Sequence, residues 1–255
     1  MNHAKLQDAL RVLLCLAGAL LPMGGCAGNR IPLGSPMQFE RGVEKFEQGD
    51  FGAAGRSFKA FTRNYPSDPR VARAQYLLGE SYLRDGDLPL AEVEFGILMS
   101  EYSYSPYVDD ALLGKARAAW EQAPRAERDQ TKAREALRLV EQYLIVYADS
   151  SLVEDAARLK NEILLRLSKK DYLNAQTYLK LDDNEAAEIY LSKVIETYPD
   201  GEWGIRARLD RGRVLERLGR PEEAEQDYRF LVERHPHAPE AEEALGRLRR
   251  LQEES

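Results

Sequence analysis

The sequence predicts an all-α superhelical solenoid of five stacked helix pairs, with one long helix joining repeats three and four. Three observations predict it. Small residues recur in two series, Ala54, Ala91, Ala136, Ala187, Ala224 and Ala74, Ala111, Ala156, Ala207, Ala244, and both series are separated by 37, 45, 51 and 37 residues. Two independent markers moving in step define a repeat, and a period of this size belongs to stacked helical units. Glycine and proline fall mostly at punctuation points, while apolar residues such as Leu137, Val140, Leu144 and Tyr147 recur at helical spacing with almost no β-branched alternation. With 255 residues, 44% hydrophobic and 31% charged, the chain can bury a continuous core.

Each repeat reads as helix, tight turn, helix. In repeat one the turn is Gly49-Asp50-Phe51; Ala54 and Phe58 then share a face of the second helix, which stops at Tyr65-Pro66. Repeat two opens at Asp68-Pro69, with proline expected at the first helical position, turns at Gly86-Asp87-Leu88 and continues through Ala91 and Phe95 to Ser103. Its Leu78, Gly79, Tyr82, Ala91 and Phe95 resemble the tetratricopeptide pattern at the same spacings. Repeat three opens at Ser105-Pro106 and carries eight extra residues around Trp120 to Thr131, where Asp129 is expected to cap the second helix. Repeat four opens with Ser151 and Glu154 as a capping box and carries fourteen extra residues with no glycine or proline between Leu152 and Leu181. That stretch predicts one helix of about 30 residues, about 45 Å long. Asp182-Asp183-Asn184 turns the chain, and Tyr198-Pro199 ends the repeat. Repeat five turns at Gly219-Arg220-Pro221, places Ala224 and Tyr228 on one face, and ends at His235-Pro236; a capping helix follows from Ala238-Pro239.

The first 25 residues read as an address. Lys5 and Arg11 precede an apolar run from Val12 to Leu21, too short to span a bilayer, and Met23-Gly24-Gly25-Cys26 resembles a bacterial lipoprotein processing site. The resemblance implies cleavage before Cys26 and acylation of that residue, and Ala27 in place of aspartate implies passage to the outer membrane. An ordinary secretory signal with an incidental cysteine is the competing reading. Cys15 leaves with the signal, so Cys26 is the one cysteine of the mature chain and no internal disulfide forms. The expected organisation is therefore signal peptide 1–25, flexible tether 26–37, repeats one to three over 38–151, and repeats four and five with the capping helix over 152–251.

Charge and motif content exclude several classes. The formal net charge is −7, which disfavours a phosphate backbone and predicts no nucleic-acid partner. The basic groups Arg166, Lys169 and Lys170, and the row Arg206, Arg208, Arg211 and Arg213, read as solvated faces, with docking of an acidic partner as the alternative. His235 and His237 flank Pro236 without cysteine or clustered carboxylate partners, so no metal site is expected. No phosphate loop or nucleophile elbow is present, and the reading is of a non-enzymatic protein without a cofactor.

The lipidated cysteine, five repeats, Tyr-Pro boundaries, Ser105-Pro106-Tyr107-Val108, the Arg128-Asp129-Gln130-Thr131 run and the long connecting helix together resemble the BamD family, lipoproteins of the outer-membrane β-barrel assembly machinery. The likeness covers roughly residues 26 to 250, with Ser103 and Ala148 standing where the family has boundary prolines. It implies a scaffold on the periplasmic side of the outer membrane. Its C-terminal half would dock a BamA-like barrel subunit beside other lipoproteins of the complex, and its N-terminal half would receive unfolded barrel precursors. First helices line the inner face of such a superhelix, which makes Phe39, Val43, Arg73, Tyr76, Glu80, Leu83, Arg84, Arg117 and Trp120 candidate groove residues, aromatics holding an aromatic-ended peptide and arginine its terminal carboxylate. For each of them inter-repeat packing is the alternative role. Two other classes stand beside this one: an envelope repeat lipoprotein serving pilus or secretin assembly or cell-wall coordination, and an enzyme whose carboxylates converge in a pocket.

Overall fold

The computed structural model describes residues 34–254, and among them it contains eleven helices and no strand. They are α1 (Ser35–Glu47), α2 (Phe51–Asn64), α3 (Val71–Asp85), α4 (Leu88–Glu101), α5 (Val108–Gln122), α6 (Thr131–Val146), α7 (Val153–Lys180), α8 (Asn184–Thr197), α9 (Glu202–Arg217), α10 (Pro221–Arg234) and α11 (Pro239–Glu254). Short turns force successive helices to run antiparallel, so α1 to α10 form five pairs and α11 closes the stack. First helices touch one another across repeat boundaries, α3 with α5, α5 with α7, α7 with α9 and α9 with α11, and so define the inner side.

The signal segment, Cys26 and residues 27–33 lie outside the described residues. Residues 35–37, expected in the tether, are instead the first turn of α1, because Pro36 gives up an N–H that a helix start leaves unpaired anyway. Pro69 and Pro106 are likewise displaced from the expected first helical position. They sit in turns two residues before α3 and α5, where Asp68 Oδ1 accepts from the Arg70 N–H at 2.9 Å and Ser105 Oγ from the Tyr107 N–H at 3.3 Å.

The alanine ladder has a steric partner. In α1, α3 and α9 a glycine leaves a notch filled by the aromatic four residues beyond the alanine of the second helix: Gly42 faces Phe58, Gly79 faces Phe95 and Gly212 faces Tyr228. A Cβ on Gly79 would lie 2.6 Å from the Phe95 ring, and one on Gly114 of the next repeat would also lie 2.6 Å from it, so Phe95 is clasped from both sides. Repeats three and four place the smaller Val140 and Leu191 at the equivalent position, both fully buried. Burying such a side chain contributes roughly 1.5–3 kcal/mol, so the ladder is the seam that holds the stack.

The long helix α7 spans 28 residues, about 42 Å at the usual rise. It is no free spacer. Ala156, Leu159, Ile163 and Leu167 complete the core of repeat three, while Ala175 joins the core of repeat four, and the buried polar pair Ser168 and Asp171 separates the two segments. The loop between α5 and α6 is held against this helix. Arg166 stacks on the Trp120 ring at 3.7 Å and donates to the Ala123 carbonyl at 2.9 Å, and Lys170 donates to the Glu127 carbonyl at 3.2 Å. Gln130, buried, ties the loop from within by donating to the Arg125 carbonyl at 2.8 Å. Asp129 does not cap α6; it accepts from the Thr131 hydroxyl at 3.0 Å, and Gln130 occupies the cap position. Nor does Ser151 cap α7, since Ser150 Oγ takes the Leu152 N–H at 3.3 Å.

Candidate peptide groove

Helical spacing puts Tyr76, Glu80, Leu83 and Arg84 on one face of α3, opposite Asp110, Arg117 and Glu121 on α5. Tyr76 stacks on Tyr107, with ring centroids 5.5 Å apart and planes 10° from parallel, and both rings remain half-buried. Glu80 is 6% exposed and meets Arg84 Nε at 3.6 Å, beyond hydrogen-bond distance. Burial pushes its carboxyl above the ordinary range, opposed by Arg84 and Arg117. Asp110 is shifted the same way by burial and by Asp109. Arg117 reaches Asp155 of α7 at 3.5 Å. Rings, poorly compensated carboxylates and reorientable guanidinium groups thus share one inner patch.

The other candidates lie elsewhere. Phe39 is buried among Phe58 and Phe61, with Arg70 and Arg73 over its ring at 5.1 and 5.5 Å. Val43 packs on that same cluster, and Leu83 belongs to the core of repeat two. Trp120 stands at the far end of the patch, between a cleft of about 420 Å³ lined by Arg117, Asp155 and Arg158 and one of about 600 Å³ that reaches Trp203. Asp110 and Asp155 complete the patch without having been singled out in the sequence, and Tyr107, named there only within Ser105-Pro106-Tyr107-Val108, joins them; the stacking of α3, α5 and α7 that brings them together becomes visible only in the fold.

The inner face of the C-terminal half is built differently. Tyr172 and Gln176 of α7 donate to Asp210 Oδ2 at 2.6 and 2.7 Å, and Arg213 donates to Asp210 Oδ1 at 2.7 Å. Arg213 and Arg247 both hold Glu243, Arg247 reaches Glu216 at 2.9 Å, and the buried Tyr228 hydroxyl donates to Glu216 at 2.6 Å. Beside this chain, Arg211 grips Asp227 with two bonds of 2.6 and 2.7 Å while Arg208 approaches it at 3.3 Å. Three of the four arginines expected on solvated faces are structural, Arg208 and Arg211 being spent on Asp227 and Arg213 on Asp210 and Glu243, while Arg206 stays exposed, pairing with Glu202 at 3.0 Å and lying on Trp203. Among the described residues no group of three or more His, Cys, Asp or Glu is placed to hold a metal. His235 packs on Phe230 and faces Asp200 at 3.4 Å.

Paired helices at this period, with a small-residue ladder and an inner groove, define a tetratricopeptide scaffold, and a tetratricopeptide repeat profile matches residues 205–248. An outer membrane lipoprotein profile, YfiO, matches residues 35–210, more than half of the chain, and the chain belongs to that family. It is also 37% identical over 57 residues, 22% of its length, to the cell division coordinator CpoB of Pseudomonas putida, and spans about a fifth (21%) of that relative. Among solved structures it is similar to the TPR2AB domain of yeast Sti1 in complex with pHSP90, at 12% identity and a TM-score of 0.47 over 86% of this chain and 83% of that one. A tetratricopeptide repeat protein of Parabacteroides merdae is similar at 19% identity and a TM-score of 0.37, over 86% and 73% of the two chains. No described helix is long and apolar enough to cross a membrane.

Proposed function

We propose that the protein is a lipid-anchored scaffold of outer-membrane β-barrel assembly, of the BamD kind, acylated on Cys26. It stands on the periplasmic face, docks a BamA-like barrel subunit together with other lipoproteins of the complex through its C-terminal half, and receives unfolded barrel precursors on the inner face of its N-terminal half. The observation that carries this reading is the family match over 35–210, which takes in the N-terminal half, the long helix and the rest of repeat four, as far as the middle of α9.

The geometry supports the division of labour. In the N-terminal patch Tyr76 and Tyr107 offer stacked faces to an aromatic side chain, and Arg84, half exposed and bound to Glu80 only at long range, can turn to a terminal carboxylate. Phe39, Val43 and Leu83 belong to the cores that support this face, and Arg73, Arg117 and Trp120 are its proposed flanks. Catalysis has no part in this role. Affinity purification from detergent-solubilised membranes tests it: a BamA-like barrel should be recovered with the protein. A second reading, another envelope repeat lipoprotein serving pilus or secretin assembly or cell-wall coordination, is compatible with the short likeness to the cell division coordinator CpoB; recovery of a wall synthase or a secretin in place of the barrel would support that one and remove the first.

A further inference from the structure

The turns that join one repeat to the next lie along a single edge of the N-terminal half. The turn over 65–70 meets the start of α1, where Arg70 lies 3.8 Å from Glu40 and covers Phe39. The turns over 65–70 and 102–107 together line a shallow cleft from Pro66 to Ala72 and from Glu101 to Ser105. The turn over 147–152 reaches the start of α5, since Ser150 donates to Asp109 at 3.2 Å. Because helices alternate in direction, the edge that carries these turns is also the edge at which the chain enters α1 at Ser35.

That edge displays four large apolar side chains. Tyr104 is fully exposed, Ile145 is 80% exposed, Met37 60% and Val146 59%, one from the first turn of α1, one from the second boundary turn and two from the end of α6. Tyr104 has no partner among the described residues. The opposite edge carries Leu90 and Leu181, each beside aspartates, namely Asp87 and Asp182 with Asp183. Four exposed groups of this size call for an environment that is apolar at one depth and wet at another, which suits tyrosine and isoleucine at a lipid headgroup boundary.

We infer that this edge, through Tyr104, Ile145, Val146 and Met37, rests on the membrane surface to which the chain is anchored. The inference depends on the acylation of Cys26 in the reading above. Eight residues separate Cys26 from Ser35, a reach of about 30 Å when extended, so the anchor keeps this edge, and not the opposite one, at high local concentration near lipid. Glu101 and Asp149, exposed on the same edge, make a zwitterionic surface the fitting partner in place of an anionic one. The contact would set the solenoid side-on to the membrane and present the inner groove parallel to the bilayer, towards a barrel subunit embedded in it.

The test uses the acylated full chain in phosphatidylcholine–phosphatidylethanolamine vesicles, with an environment-sensitive fluorophore on Ser103→Cys or, at the opposite edge, on Asp87→Cys; the acylated Cys26 sulfur does not react with the dye. Headgroup spin-labelled lipid should quench the probe at 103 and leave the one at 87 unaffected, and adding Tyr104→Ser with Ile145→Ser should abolish the quenching while circular dichroism stays unchanged. Equal quenching at both positions, or none at 103 in a chain whose mass carries the acyl groups, overturns the inference alone. A mass without acyl groups removes the anchor reading and this inference with it.

Discussion

The two inner faces differ in how their charges are satisfied. In the C-terminal half eight polar side chains from α7, α9, α10 and α11 form one connected network from Tyr172 to Tyr228, and Asp227 is gripped by two arginines. In the N-terminal half Glu80 and Asp110 are held above the usual carboxylate range by burial with little compensation. A linked network fixes the side chains it contains, whereas poorly compensated carboxylates beside half-buried rings leave interactions for a ligand to complete.

The contrast can be broken at its strongest point. Asp227→Ala leaves Arg208 and Arg211 partly buried without their carboxylate and should cost about 3–5 kcal/mol, with urea denaturation showing the C-terminal half melting ahead of the rest. An Asp227→Ala protein that unfolds like the parent would mean the network is not what locks that half. Gly79→Ala comes next. Alanine normally stabilises a helix over glycine by about 1 kcal/mol, but here the new methyl meets Phe95, and a net loss of roughly 1–3 kcal/mol is expected in thermal unfolding. Gly246→Ala, whose Cβ meets nothing within 4 Å, is the control that should stabilise.

Glu80→Gln sharpens the comparison from the other side. A carboxyl whose folded pKa is raised makes the folded state bind more protons than the unfolded one, so its ionisation weakens the fold as pH rises above the ordinary carboxylate range. The substitution should raise the melting temperature at neutral pH, and the gain should vanish as pH falls below about 4, the ordinary range of a free carboxyl. A gain independent of pH would show that burial of this charge is not the cause. The smallest effect belongs to Asp182→Gly. Asp182 has φ 56° where the turns after α1, α3 and α9 use Gly49, Gly86 and Gly219, and glycine there should add about 1 kcal/mol in the same thermal measurement.

The architecture was legible in the sequence because each unit is written locally: alanine, an aromatic or aliphatic residue four later, a turn, and a glycine-free, proline-free run for α7. What was less legible depends on partners far along the chain. The arginine row looked solvated because Asp227 stands 16 residues beyond Arg211 and Glu243 stands 30 beyond Arg213. Ser-Pro and Asp-Pro pairs looked like helix starts, yet two of them form the turn just outside the helix, a difference of two residues that only hydrogen bonding decides. The candidate groove was assembled from first-helix positions on a common face, which brought together Tyr76, Glu80, Arg84 and Arg117. Phe39 and Leu83 share that face in sequence but turn inward to the core, because the packing of α2 and α4 decides which apolar residue of a stripe is covered.

The central claim, that the open charges and rings of the N-terminal half receive a precursor while the closed network of the C-terminal half does not, is tested most directly by equilibrium binding of a fluorescent C-terminal β-barrel precursor peptide to the intact protein. Tyr76→Ala with Arg84→Ala should weaken that affinity at least tenfold, about 1.4 kcal/mol, in a protein whose circular dichroism remains that of the folded parent at the assay temperature, and Arg206→Ala should leave it unchanged. An affinity untouched by the first pair, or lost with Arg206→Ala, would contradict the account.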